Sequence, residues 1–193
     1  MKKFLAFTAI FSLLPLVASA GSLDEVEYSI GIKKDDFKFQ IAADDGELSE
    51  VHVGYQWYDK DMGNGYKFSI YSGLERDFDL DRTKLENDFK VTKTFENWSG
   101  FYAIANVDYD FTNENFSYGP TLGAFYTLGE KTSIYGDVTA TYVSGEGYVG
   151  SEFGAGISHN LYRNIWTTLG FTRNFDTDWD QETSWYLNAT FVY

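Results

Sequence analysis

What most constrains the fold of this chain is a two-residue rhythm that recurs along it. In 183–193, Trp185, Leu187, Ala189, Phe191 and Tyr193 alternate with Ser184, Tyr186, Asn188 and Thr190. Successive side chains on a strand point to opposite faces, so such a segment makes an extended strand with one apolar face. The same alternation marks 50–58, 65–75, 84–95, 99–111, 115–128, 132–143, 149–159 and 164–175. Tyr, Phe, Trp, Val and Thr suit such strands, and aromatics are 19% of the chain. Two weaker pieces, 26–33 and 36–43, precede them with opposite parity. Val26, Tyr28, Ile30 and Ile32 are even; Phe37, Phe39 and Ile41 are odd. They are either two strands turned at Lys33-Lys34-Asp35-Asp36 or one strand with a bulge there.

The composition of each face says what surrounds the strands. Small aliphatics occupy the middle of the apolar face: Ala103, Ala105, Leu122, Ala124, Val138, Ala140, Leu169, Leu187 and Ala189. Aromatics occupy its two ends. Trp57, Tyr66, Phe95, Tyr126, Phe191 and Tyr193 mark one; Tyr109, Phe111, Phe116, Tyr118, Phe175 and Trp185 mark the other. The opposite face carries glycine and polar residues, among them Gly123, Thr139, Gly154, Gly170 and the charged Lys67, Asp88, Lys90, Asp108, Asp137 and Glu152. A soluble barrel or sandwich turns its apolar residues inward. An apolar band between aromatic girdles is the pattern selected by a bilayer with two interfaces.

The amino terminus fits export. Lys2 and Lys3 precede an apolar stretch, 4–17, and Ala18-Ser19-Ala20 has the small-x-small form of a cleavage site, so 1–20 is expected to be a removed signal peptide. That stretch is short for a transmembrane helix and holds Pro15. No other stretch is long and apolar enough to span as a helix, so a membrane form must span as a barrel formed by 21–193. There is no cysteine, hence no disulfide, thiolate metal site or lipid attachment at an N-terminal cysteine. The formal charge of -14 disfavours nucleic acid as a partner. No cofactor is expected.

The final Tyr186-Leu-Asn-Ala-Thr-Phe-Val-Tyr193 resembles the C-terminal assembly signal of the small bacterial outer-membrane barrels, the superfamily of the OmpX and Ail type and the OmpA membrane domain. Phe191 and Tyr193 match its aromatic positions, while Asn188 stands where glycine is usual. Gly129-Glu-Lys-Thr-Ser-Ile-Tyr-Gly136 is similar to a turn and strand of the same superfamily. The resemblance implies an all-β, closed, antiparallel up-and-down transmembrane barrel in the outer membrane. Its implied partners are membrane lipid, lipopolysaccharide and the barrel-assembly machinery. Such single-chain barrels have even strand numbers. Merging 26–33 with 36–43 gives ten strands; eight and twelve are the alternatives. With the last strand ending in the periplasm, periplasmic turns fall at 59–64, 96–98, 129–131 and 160–163. Outer loops fall at 44–49, 76–83, 112–114, 144–148 and 176–182.

Three groups of residues carry candidate chemistry. The loop residues Asp176, Asp178, Asp180 and Glu182 alternate and would share one side of an extended backbone, within reach of a divalent cation; Asp77, Asp79 and Asp81 repeat the arrangement. An acidic rim facing lipopolysaccharide explains the same residues. His52 should point inward near the outer rim, beside Asp44, Asp45, Glu47 and Glu50, where a general base is physically possible. No nucleophile–His–acid spacing accompanies it, so a rim histidine bonded to a carboxylate is the simpler reading, and the chain is expected not to be an enzyme. Finally, inward Lys38, Lys67, Lys84 and Lys90 face more numerous inward carboxylates, with Lys84 expected near Asp108 and Asp110. Tyr71, Tyr102, Phe125, Tyr135 and Trp166 also point inward and fill space. The expectation is a narrow or plugged polar lumen with an envelope-structural or surface-interaction role. The rival is a small cation-preferring, porin-like channel, and the third is an outer-membrane hydrolase using His52.

Overall fold

The computed structural model describes residues 26–44, 47–97, 99–176 and 183–193. The expected signal peptide and most of the 176–182 acidic loop lie outside these residues. The described chain is all β, with no helix among the described residues. Its strands are β1 (Val26–Lys34), β2 (Phe37–Asp44), β3 (Glu47–Gly63), β4 (Tyr66–Asp77), β5 (Arg82–Thr94), β6 (Gly100–Asp110), β7 (Asn115–Leu128), β8 (Thr132–Val143), β9 (Gly147–Tyr162), β10 (Ile165–Asp176) and β11 (Thr183–Val192). Each pairs with its sequence neighbours, and β1 pairs with β11 to close a barrel.

The barrel has eleven strands, which corrects the expected ten and both alternatives. The opposite parities of 26–33 and 36–43 arise from a tight hairpin. Lys34 pairs with Phe37 around the two-residue turn Asp35–Asp36, with Asp35 at φ 51°. In such a hairpin every odd residue faces an even partner, so the apolar set changes parity without a bulge. An odd number of alternating strands leaves the first and last running the same way. The closure is therefore parallel, from Val26↔Trp185 to Lys33↔Val192, and the wholly antiparallel expectation is corrected with it.

The turns are shorter than their sequence signals suggest. The expected turn 59–64 shrinks to Asn64–Gly65, both in the left-handed region (φ 53° and 74°), as a two-residue type I′ hairpin requires. Residues 59–63 instead extend β3, which absorbs register shifts at Gln56/Tyr58 and Asp61/Gly63. The other connections with described residues are 78–81, 95–97 with 99, 111–114, 129–131, 144–146 and 163–164. With this few residues, neither end of the barrel carries a long described loop.

The two faces separate cleanly. Along β7, Phe116, Tyr118, Pro120, Leu122, Ala124, Tyr126 and Leu128 are exposed, while the alternate residues from Asn115 to Thr127 are shielded. Leu122 is 62% exposed and its neighbour Thr121 only 6%. β6 repeats the pattern, with Phe101, Ala103, Ala105 and Val107 outside and Tyr102, Asn106 and Asp108 inside. The apolar face is thus the outer surface and the polar face the inner wall. Ser72 and Asn87 interrupt the outer face, but they satisfy each other: the Ser72 hydroxyl donates to Asn87 Oδ1 at 2.7 Å, and Asn87 Nδ2 donates to the Val107 carbonyl at 3.3 Å.

Candidate functional site

The inner wall is built from aromatic rings laid over glycines on the neighbouring strand. A Cβ added at Gly54 would lie 1.7 Å from the Tyr71 hydroxyl, and one at Gly123 would lie 2.3 Å from the Tyr102 ring. Tyr135 covers Gly156, Tyr186 covers Gly170, and Phe125 covers Gly100 in the same way. Each ring lies flat along the wall because its neighbour has no side chain, and burial of the glycine backbone is restored by the ring. The hydroxyls then reach polar groups further round the barrel. Tyr102 donates to Asp137, two strands away, and Tyr135 and Tyr186 join hydroxyl to hydroxyl. The ammonium of Lys90 lies 4.3 Å from the centre of the Tyr102 ring.

His52 sits at the centre of the second cluster and is 5% exposed. Its Nε2 lies 3.1 Å from Glu86 Oε2 and 3.1 Å from the Tyr71 hydroxyl. Gly73 leaves room for the imidazole, since a Cβ there would lie 2.4 Å from Nε2. The ion pair Lys84 Nζ–Glu75 Oε1, at 3.5 Å, runs beside it on β4 and β5. The carboxylate that bonds His52 is Glu86, from β5. Glu86 and Tyr71 place a carboxylate and a phenol hydroxyl beside the imidazole. Removing the imidazole strands a shielded carboxylate, so His52→Ala is expected to cost about 2 kcal/mol of stability, with partial recovery in His52→Gln. Denaturant midpoints of the two variants check this. Equal midpoints for wild type and His52→Ala would deny the pair any structural weight.

The remaining candidates divide between the two ends of the barrel. Lys67 pairs with Asp59 at 2.7 Å, on the segment expected to be a turn. Lys67, Asp88 and Lys90 line one interior cavity of about 380 Å³, together with Lys33, Lys38 and Asp36. Asp108 is half-buried opposite Glu86. Glu152 lines a smaller cavity of about 170 Å³ near Thr141 and Asn174. Lys84 is opposite Asp110 in register but ion-pairs with Glu75 instead. Asp110 is occupied by its own turn, accepting hydrogen bonds from the backbone N–H groups of Thr112 and Asn113 and from the Asn113 amide. Among the loop acids, Asp77 pairs with Arg82 and Asp81 with Arg76, so neither is arranged as a cation ligand. No group of three or more potential metal ligands occurs among the described residues. Asp178, Asp180 and Glu182 lie outside them, as does the side chain of Asp176.

The carboxyl-terminal residues seal the barrel. Tyr186 joins the inner wall as above. Asn188 donates from Nδ2 to the Ser29 hydroxyl across the parallel seam, at 2.8 Å, and accepts from Thr190 at 2.7 Å. A glycine there would lose both bonds, which gives the departure from the usual signal a structural reason. Phe191 is level with Ile32 and Ile165, and the Tyr193 backbone N–H donates to the Lys33 carbonyl at 2.9 Å.

A closed barrel with a polar inner wall and an apolar outer wall is the class that these features define. No protein-family model matches the chain, and no curated protein matches it.

Proposed function

We propose that this chain is an integral outer-membrane β-barrel with a narrow or plugged polar lumen and a role in envelope structure or surface contact. The observation that carries this reading is the inverted amphipathicity of β6 and β7, where large apolar residues are outside and hydrogen-bonded polar residues inside. Exposed aromatics toward both ends of the outer wall, such as Tyr126 and Tyr193 at one and Phe111 and Phe116 at the other, suit two membrane interfaces. A water-facing wall of this kind would be a large adhesive patch. On this reading lipid covers the band, lipopolysaccharide meets the outer rim with any bridging divalent ions, and the assembly machinery engages Phe191 and Tyr193. Short connections favour a structural role over adhesion through long loops.

The test is electrophoretic and simple. Refolded in detergent, the barrel should keep its shape in SDS until boiled, so unheated and heated samples should migrate differently. Identical migration, together with solubility in the absence of detergent, would sink the membrane reading.

A small channel is the second reading, favoured by the 380 Å³ interior cavity. It requires a continuous water path past the Tyr71–His52–Glu86 and Tyr102–Asp137 contacts. Planar-bilayer recording separates the two: the filled barrel should give very low or flickering conductance, and a large, stable conductance would select the channel.

A further inference from the structure

We propose that the larger interior cavity is a binding site for a compact, diffusible oxyanion of two or more charges, of the phosphate or pyrophosphate class. The cavity lies at the end of the barrel that carries the Asp35–Asp36 turn. Lys33, Lys38, Lys67 and Lys90 line it, against Asp36 and Asp88. The local charge is therefore opposite in sign to the chain's -14.

The arrangement of the lysines is the argument. Lys33 and Lys38 are direct cross-strand partners on β1 and β2, and both side chains point inward. Like charges directly opposite each other destabilise a strand pair. Neither lysine forms an ion pair among the described residues, nor does Lys90, which rests on the Tyr102 ring instead. Lys67 has Asp59. Among the described residues three cations thus converge on one cavity with no carboxylate at ion-pair distance, and four lysines face the two acidic residues of its lining, Asp36 and Asp88. An anion seated between Lys33 and Lys38 turns their repulsion into two charge-assisted contacts. Gln56, Ser69 and Thr92 supply neutral hydrogen-bonding groups to the same space. The volume of about 380 Å³ falls within the range of small-ligand sites. The lining belongs to the inner wall, so a lipid headgroup with its acyl chains on the outer wall does not fit, and a diffusible anion does.

Isothermal titration of sodium pyrophosphate into the folded, detergent-solubilised protein tests this, in chloride buffers matched for ionic strength. Wild type should bind saturably, with one pyrophosphate per barrel. Lys33→Gln and Lys38→Gln should each weaken binding by about tenfold or more, and Lys38→Arg should retain it. Lys60→Gln removes a lysine outside the cavity and should leave binding unchanged. Absence of saturable binding to wild type overturns the proposal. So does an equal loss in Lys60→Gln, which would reduce the effect to net charge. Heat-dependent migration of each variant reports folding separately, so a failure of binding leaves the membrane reading untouched. The two glutamine variants relieve a repulsion and should fold at least as well as wild type; a variant that neither folds nor binds is replaced by Lys90→Gln, for which the same tenfold loss is required.

Discussion

Gly119→Ala is expected to lower stability by about 3 kcal/mol, enough to leave much of the protein unclosed under mild denaturing conditions. A Cβ at Gly119 would lie 1.7 Å from the Ala140 carbonyl oxygen. That neighbour is backbone, so no rotamer change relieves the clash; β7 and β8 must move apart. They are already poorly joined there. The pairing passes from Tyr118↔Tyr142 to Thr121↔Thr139, and Pro120 has no N–H to give. Gly136→Ala is the control, because its nearest non-neighbouring atom would be 3.5 Å away. It should shift the midpoint by less than about 0.5 kcal/mol. Urea titration followed by unheated electrophoresis measures both. If Gly119→Ala unfolds at the wild-type midpoint, the close approach of β7 to β8 is wrong.

The second large effect concerns the seam. Ser29→Cys with Asn188→Cys is expected to form a disulfide nearly quantitatively on mild oxidation. The two residues are register partners on β1 and β11, and their side chains already touch at 2.8 Å. The chain has no other cysteine to compete. The link would join positions 159 residues apart, which on chain entropy stabilises the barrel by about 5 kcal/mol. Ser29→Cys with Leu187→Cys places one thiol inside and one outside, and should stay reduced. A ten-stranded barrel, with β1 and β2 merged or β1 detached, would give no seam disulfide, and that result would remove the parallel closure.

The legible part of this fold was the part governed by period and burial. Nine of the strands announce themselves because alternate residues meet different surroundings, and the outer band is readable from Ala103, Leu122 and Leu169 alone. The strand number was not legible for a specific reason. Opposite parity in 26–33 and 36–43 is produced equally by a hairpin and by a bulge, and the even-number rule then favours the wrong one. Local conformation at Asp35 decides it, and a sequence shows aspartate there without its φ. Asp59, Lys60 and Asp61 read as a turn because they are charged, yet pairing with β4 keeps them extended.

The inner wall was half legible. Parity places Tyr71, Tyr102 and Tyr135 inside and suggests filling, but it does not reveal which glycine each ring covers. That depends on register between strands: Tyr102 meets Gly123 only because β6 and β7 pair at that offset. The same holds for charge. Counting inward groups along the whole chain gives an acidic lumen, whereas register gathers Lys33, Lys38, Lys67 and Lys90 at one end. A signal was available in Lys33 and Lys38 themselves, which any two-residue turn at Asp35–Asp36 places side by side.

The parallel seam also determines how the chain is threaded. Because β1 and β11 point the same way, the polypeptide enters the barrel wall at one rim and leaves it at the other. An even-stranded barrel returns both to the same rim. In a bilayer, a reporter joined ahead of Val26 and a reporter joined after Tyr193 would therefore be addressed from different compartments. A cell that builds such a barrel from one side must carry the leading edge of its first strand across the full thickness of the membrane, while the trailing edge of its last strand stays behind.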